Sequence, residues 1–258
     1  MKLFVRKLTY SHASIPALFD VSATFAPGRL SVILGPNGAG KSTLLACLSG
    51  LLKPDSGDVT LGETGIADMP ANLRARAIGL LPQSAETHWA IGSEALVALG
   101  RYPHQKGLGV SPADHAAVAA AMAATDTTAF ADRSVTELSG GERARVLMAR
   151  VLAGEPSWIL ADEPLANLDP GHQIDMLTLL RAQADAGKGV IAVLHDLQYT
   201  ARFADHIVLL DNGRLVVEGT SADVLTQRNL ADVYGVDAAV ATGEEGALQI
   251  NIKGRVAR

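Results

Sequence analysis

Leu30-Ser31-Val32-Ile33-Leu34 runs directly into Gly35-Pro36-Asn37-Gly38-Ala39-Gly40-Lys41-Ser42-Thr43, and Leu44, Leu45 and Leu48 follow. An apolar run, a glycine loop and a second apolar stretch at helical spacing predict a strand, a phosphate-binding loop and a helix, in that order. Gly35, Gly38 and Gly40 let the backbone bend so that its N–H groups line a nucleotide's phosphates. A helix starting near Lys41 aims the positive end of its dipole at the same anion. Lys41 then reaches the β and γ phosphates of a nucleoside triphosphate, and the Ser42 hydroxyl is a magnesium ligand. A turn rich in glycine would supply the bend alone, without Lys-Ser at this spacing behind an apolar strand.

The rest of the chain sets bounds on that reading. With 258 residues, 48% of them hydrophobic, it can bury the core of one large domain or of one domain with an inserted lobe. A net charge of −5 and the absence of any dense Lys/Arg run argue against nucleic acid as a partner, because neutralising phosphates needs clustered cations. The single cysteine, Cys47, excludes an intrachain disulfide, fits a reducing compartment and reads as a small buried hydrophobe. The seven histidines are scattered, so no metal-binding spacing appears. The apolar stretch 116–124 is too short for a bilayer, which needs about 20 residues. Lys2, Arg6 and Lys7 crowd the first apolar residues too closely for a secretory leader.

Short β-branched runs alternate with helical patterns, which predicts the α/β class: a mostly parallel sheet with helices on its faces. After the phosphate-loop helix ends at Gly50, Lys53-Pro54-Asp55-Ser56-Gly57 is a turn and residues 58–61 an edge strand, part of an antiparallel β edge subdomain. Between about 84 and 156 the composition turns helical. Ser111-Pro112-Ala113-Asp114 combines a capping residue, a first-position proline and a first-turn acid ahead of an alanine-rich helix. Strands return at 157–161 and 190–194, and 207–210 pairs with 214–218 across Asp211-Asn212-Gly213. Ile174, Leu177, Leu180 and Ala184 mark the core face of a helix between the first two. Residues 1–83 and 157–225 thus form a nucleotide-binding core, 84–156 an inserted helical subdomain and 226–258 a tail, of which 236–258 carries no assignable pattern.

Trp158-Ile159-Leu160-Ala161-Asp162-Glu163 is an apolar strand ending in two acids. Ligands of parallel sheets sit beyond the carboxyl ends of the strands, so Asp162 emerges on the same rim as the glycine loop. A carboxylate there can hold magnesium through its water shell, and its neighbour Glu163, pointing differently, can accept a proton from an attacking water.

Leu138-Ser139-Gly140-Gly141-Glu142 lies between these motifs, and with it the chain resembles the ATP-binding-cassette (ABC) ATPases over nearly its whole length. The resemblance implies ATP and Mg2+ as ligands and a homodimer that sandwiches two ATP molecules. In it, Ser139, Gly140, Gly141 and Glu142 of one chain complete the site of the other. Ser139 and the glycines open a helix whose free N–H groups and dipole suit a γ-phosphate; taken alone, the segment is a helix capped by Ser139. The family pattern further makes Glu163 the catalytic base, His195 a γ-phosphate contact, and Gln83 a contact to magnesium and water that joins the core to the helical lobe. Magnesium then falls to Ser42, Gln83 and Asp162. Ala166-Asn167-Leu168-Asp169 resembles the loop that crosses to the partner through Asp169, with Asn167 where alanine is more usual. The adenine-stacking ring is His12 or Tyr10: alignment favours the first, ring size the second.

Residues 94–104, Glu-Ala-Leu-Val-Ala-Leu-Gly-Arg-Tyr-Pro-His, are similar to a segment of the ATPases that serve iron-siderophore, heme and cobalamin importers. That likeness implies a peripheral subunit on the cytoplasmic face of the inner membrane. Two permease subunits would dock near residues 84–105, and a periplasmic or extracellular substrate-binding protein would act through them. Without the resemblance, the stretch is a helix end with Arg101 and Tyr102 on a solvated face and Pro103 as its stop. A soluble ABC ATPase assisting an assembly process, such as iron-sulfur cluster formation, stays open beside the importer reading.

Overall fold

The computed structural model describes residues 1–83, 90–105, 110–243 and 248–256. Two sheets form around one helix. β1 (Leu3–His12) and β2 (Ile15–Phe25) make an antiparallel pair, while β3 (Leu30–Leu34) belongs to a second sheet. α1 (Lys41–Leu48) follows the glycine loop. β4 (Ser56–Leu61) and the short β5 (Thr64–Gly65) complete the antiparallel sheet in the order β2-β1-β4-β5. The expected edge strand at 58–61 is therefore an interior one. Leu3 pairs with Phe25 on one side and Leu61 on the other, and Val59 and Leu61 alternate into the core with Leu3 and Val5.

Next come α2 (Ala71–Ala77), β6 (Ile78–Leu81), α3 (Ser93–Ala98), α4 (Pro112–Ala124), α5 (Gly140–Ala153), β7 (Trp158–Asp162), α6 (Pro170–Asp185), β8 (Gly189–Val193), α7 (Leu197–Phe203), β9 (His206–Asp211) and β10 (Arg214–Gly219). The second sheet has the order β10-β9-β3-β8-β7-β6, with β9, β3, β8, β7 and β6 parallel and β10 antiparallel at the edge. Every residue of β3 and β8 is buried, as a parallel strand covered on both faces requires. Val32 and Leu34 point to the side of α5 and α6, and Ile33 to the side of α1 and the antiparallel sheet. Leu44, Leu45 and Leu48 fasten α1 between the sheets, and truncating any of them to alanine would cost about 2–5 kcal/mol.

The helices α3, α4 and α5 pack on one another through Leu96, Val97, Val118, Met122 and Val146, continuous with the core of the large sheet. The α4 start forms as its sequence dictates: Ser111 Oγ and Asp114 close a capping box with Pro112 in the first turn. One expectation fails here. Arg101 is not solvated but 5% exposed, because its guanidinium donates to Asp114 Oδ1 (2.9 Å), Glu155 Oε2 (2.6 Å) and the Ala153 carbonyl (2.8 Å). These partners lie 13 to 54 residues away, beyond any local pattern. Tyr102 beside it is 77% exposed. Ile174 also departs from expectation. On α6 the buried face is Met176, Leu177, Leu180 and Ala184, and Ile174, three positions before Leu177, is 40% exposed.

The tail is ordered by burial. α8 (Ser221–Val224), α9 (Gln227–Asn229) and a π-turn (Leu230–Tyr234) lead into the hairpin of β11 (Val236–Thr242) and β12 (Leu248–Arg255). Ala238 and Ile250 sink into the large-sheet core, and Gln198 of α7 donates to the Ile250 carbonyl. The pattern escaped sequence reading because few of the hairpin's residues are buried.

Candidate nucleotide site

Four adjacent parallel strands, β3, β8, β7 and β6, end on one rim, and each delivers one part of the site. β3 delivers residues 35–43, β7 Asp162 and Glu163, β8 His195, and β6 Gln83. The glycine loop is shaped by contacts as well as by sequence. Gly35 has φ +149°, and a Cβ there would fall 2.2 Å from the Leu210 carbonyl oxygen. At Gly40, φ is +92° and a Cβ would meet the Ala17 carbonyl at 2.7 Å.

Lys41 Nζ is buried and donates to the Gly35 and Pro36 carbonyls at 2.9 Å each. Burial draws its ammonium below the ordinary value, against the pull of Glu163 and Asp162. The amine thus curls back over the glycine loop. Ser42 Oγ donates to Asp162 Oδ1 at 2.9 Å, across 120 residues of sequence. Burial raises the Asp162 carboxyl, the Ser42 hydrogen bond opposes this, and the charge of Glu163 adds to it. Two hard oxygen donors side by side, one of them a carboxylate that burial disfavours as an anion, suit a magnesium ion.

Glu163 stands at φ +48°, a backbone region that non-glycine residues seldom occupy and that recurs at functional sites. Its two carboxylate oxygens are both engaged: Gln83 Nε2 donates to Oε2 at 2.6 Å, and His195 Nε2 lies 2.6 Å from Oε1. A cleft of about 330 Å³ opens beside this trio between β6, α5 and the following loop, lined by Gln83, Glu163, Gly140, Arg143 and Asn167 among others. In that loop Asn167 is at φ +60°, a conformation asparagine tolerates better than most residues, and Asp169 caps α6 by accepting from the His172 N–H at 3.0 Å.

Ser139 caps α5, its hydroxyl accepting from the Glu142 N–H (3.3 Å) while its own N–H donates to Glu142 Oε2 (2.8 Å). The Ser139 backbone N–H holds the Glu142 carboxyl below its ordinary value. The capping reading of this segment is thus correct, and Gly140 and Gly141 in the first turn have no intrahelical acceptors for their N–H groups. Tyr10 and His12, two apart on β1, share a face with ring centroids 4.9 Å apart, edge to face. Tyr10 packs partly into the core, whereas His12 is exposed with Nε2 3.2 Å from Thr43 Oγ1.

A family model, described as ABC transporter, matches residues 18–166, from within β2 to the loop after Glu163. The chain belongs to the ABC transporter family. This ABC ATPase is 42% identical over 250 residues to the hemin import ATP-binding protein HmuV of Bordetella pertussis, covering 93% of this chain and 94% of that one. Against HmuV of Pseudomonas aeruginosa it is also 42% identical, over 243 residues, with 92% and 94% covered. In three dimensions it is similar to a chain of a metal-chelate type ABC transporter solved facing inward, with a TM-score of 0.84, 26% identity and 98% and 96% covered. A bacterial ABC cassette solved as a dimer matches with a TM-score of 0.76, 28% identity and 85% and 98% covered. The α/β cassette architecture and ATP binding follow from the family, as does ATP hydrolysis coupled to transport. Among the described residues no helix is long and apolar enough to cross a membrane.

Two contacts of this ABC ATPase had no sequence signal. The Tyr234 hydroxyl is sealed from solvent beside the Gly35 backbone without closing a hydrogen bond, and burial raises it above its ordinary value. The His172 ring lies against Gly141, 31 positions away.

Proposed function

We propose that this subunit hydrolyses ATP to drive hemin import, as one of two identical cassettes beneath two permease subunits at the cytoplasmic face of the inner membrane. An extracytoplasmic binding protein would deliver the cargo to the permease. The observation that carries the cargo is the 42% identity to proteins named for hemin import, extending over 93% of the chain. The same relatives favour import over the assembly reading.

In the proposed reaction the phosphates of ATP lie along the N–H groups of residues 35–43, and Lys41 leaves the Gly35 and Pro36 carbonyls for the β and γ phosphates. Ser42, Asp162 and the amide oxygen of Gln83 would hold Mg2+, which screens phosphate charge when bound. Glu163 orients the attacking water and takes its proton. Gln83 and His195 grip one carboxylate oxygen each, which fixes the rotamer of this base, and His195 also meets the γ-phosphate. His12, beside Thr43, is the ring for adenine, since Tyr10 is committed to the core. A second copy contributes the first turn of its α5, Ser139 to Glu142, and its Asp169 loop.

The core would comprise residues 1–83 and 157–225, the helical subdomain 84–156 and the tail 226–258. Permease docking falls on 84–105. Residues 84–89 lie outside the described ones, and the remainder presents Leu99 and Tyr102, 51% and 77% exposed. Co-expression with the permease, reconstitution and uptake assays with hemin, a ferric siderophore and cobalamin test the assignment. ATP-driven hemin uptake that Glu163→Gln abolishes is the expected result. Uptake of another cargo alone would overturn the hemin assignment, and failure to bind any permease would overturn the importer role.

A further inference from the structure

The two signature glycines meet different surroundings. A Cβ on Gly140 would touch the Asn167 carbonyl oxygen at 3.7 Å, an ordinary van der Waals contact, so packing within the subunit does not demand glycine there. A Cβ on the buried Gly141 would lie 2.2 Å from His172 Cδ2 and 2.5 Å from both Cγ and Nε2. The body of the imidazole, not a flexible tip, fills the space. Carboxylates lie near both ring nitrogens, with Nε2 3.8 Å from Asp169 Oδ2 and Nδ1 3.5 Å from Asp175 Oδ2. Turning the ring away from Gly141 would part it from both carboxylates, while the backbone N–H of the same residue meets Asp169 Oδ1 at 3.0 Å in the α6 cap.

We propose that His172 is a positioning residue that bolts the first turn of α5 to the loop 166–169 within one subunit. On the dimer reading above, on which this proposal rests, both pieces face the partner's nucleotide. The bolt makes them one rigid unit, so ATP engaged by the signature turn of one chain shifts the loop that starts three residues after that chain's own Glu163. His172 thereby links the two ATP sites. Its charge partners matter less than its shape, because the tightest contacts are ring atoms against a missing side chain.

A double-mutant cycle on the full chain tests this: parent, His172→Ala, Gly141→Ala and the double variant, each measured for phosphate release against ATP concentration. His172→Ala is expected to lower kcat about threefold to tenfold and to bring the Hill coefficient towards one, with KM little changed. His172→Phe, which keeps a ring against Gly141, should recover most of both. Gly141→Ala should inactivate strongly in the parent but cost far less beside His172→Ala, because the added methyl then has room. Equal fold losses for Gly141→Ala in both backgrounds, or full turnover and cooperativity in His172→Ala, would overturn the proposal. Gel filtration of Glu163→Gln with ATP separates the two readings. No ATP-dependent dimer removes the dimer reading and the proposal together; a dimer with additive variants removes the proposal alone.

Discussion

Replacing Glu163 by glutamine changes one oxygen to an NH2 group at a position where both carboxylate oxygens already have donors, Gln83 Nε2 and His195 Nε2, at 2.6 Å each. A glutamine has one acceptor oxygen, so it keeps one contact; the other survives if His195 turns its lone pair, or Gln83 its amide oxygen, towards the new amide. The backbone at φ +48° suits glutamine no worse than glutamate, and Lys41, Ser42 and Asp162 are not disturbed. The lost quantity is the proposed base. General-base catalysis accounts for about 10²–10⁴ in rate, or about 3–5.5 kcal/mol of barrier, so turnover should fall by that factor while ATP affinity stays within about threefold. Phosphate release and equilibrium ATP binding measure the two halves, and gel filtration with ATP and magnesium should show the variant arrested as a dimer. A variant that hydrolyses within about threefold of the parent rate, or stays monomeric with ATP bound, would refute the role given to Glu163.

Lys41→Ala removes a cation whose charge-assisted hydrogen bonds contribute about 1.5–3 kcal/mol each, so ATP binding or turnover should drop at least tenfold, roughly; calorimetry and phosphate release that are both unchanged would contradict the phosphate-loop assignment. Gly35→Ala sets a methyl 2.2 Å from a backbone oxygen at positive φ, so we expect about 2–5 kcal/mol lost in denaturant melts with weaker nucleotide binding, and an unchanged midpoint would show that the loop is not pinned against β9. Arg101 and the Ser111 hydroxyl and N–H hold the Asp114 carboxyl well below its ordinary 3.8. A depressed folded value stabilises above the unfolded one and is lost as pH falls through the folded one. The melting deficit of Asp114→Asn should therefore be level from about pH 8 to 5 and shrink below about pH 4; a deficit that persists undiminished into acid would discount the Arg101 pair.

Much of the site was legible because its chemistry is local in sequence. The nine residues from Gly35 to Thr43 carry their own turn, charge and helix start, and Asp162-Glu163 announces itself as a strand end. What brings these segments together is the parallel order β3-β8-β7-β6, which no local pattern encodes. Residues whose partners are distant read wrongly. Arg101 looks like a surface cation until Asp114 and Glu155 arrive from two other helix ends, and Ile174 satisfies helical spacing yet falls on the margin of the buried stripe. Among the described residues of the hairpin 236–255, Ala238 and Ile250 alone are buried, with Val236, Val240 and Leu248 packed partly against the core, too few to stand out from a polar tail.

The tail nonetheless limits how this cassette can be shortened. The family match ends at residue 166, and a protein engineer seeking a smaller ATPase would be tempted to trim everything after β10. Cutting there would strip Tyr234 from the underside of the glycine loop, Ala238 and Ile250 from the large-sheet core, and the Ile250 carbonyl from Gln198 on the helix that follows His195. Apolar surface next to the ATP-binding loop would be opened to water, inviting aggregation in the resting enzyme. Fusion partners belong beyond the last strand, after residue 256, and truncation belongs nowhere before it.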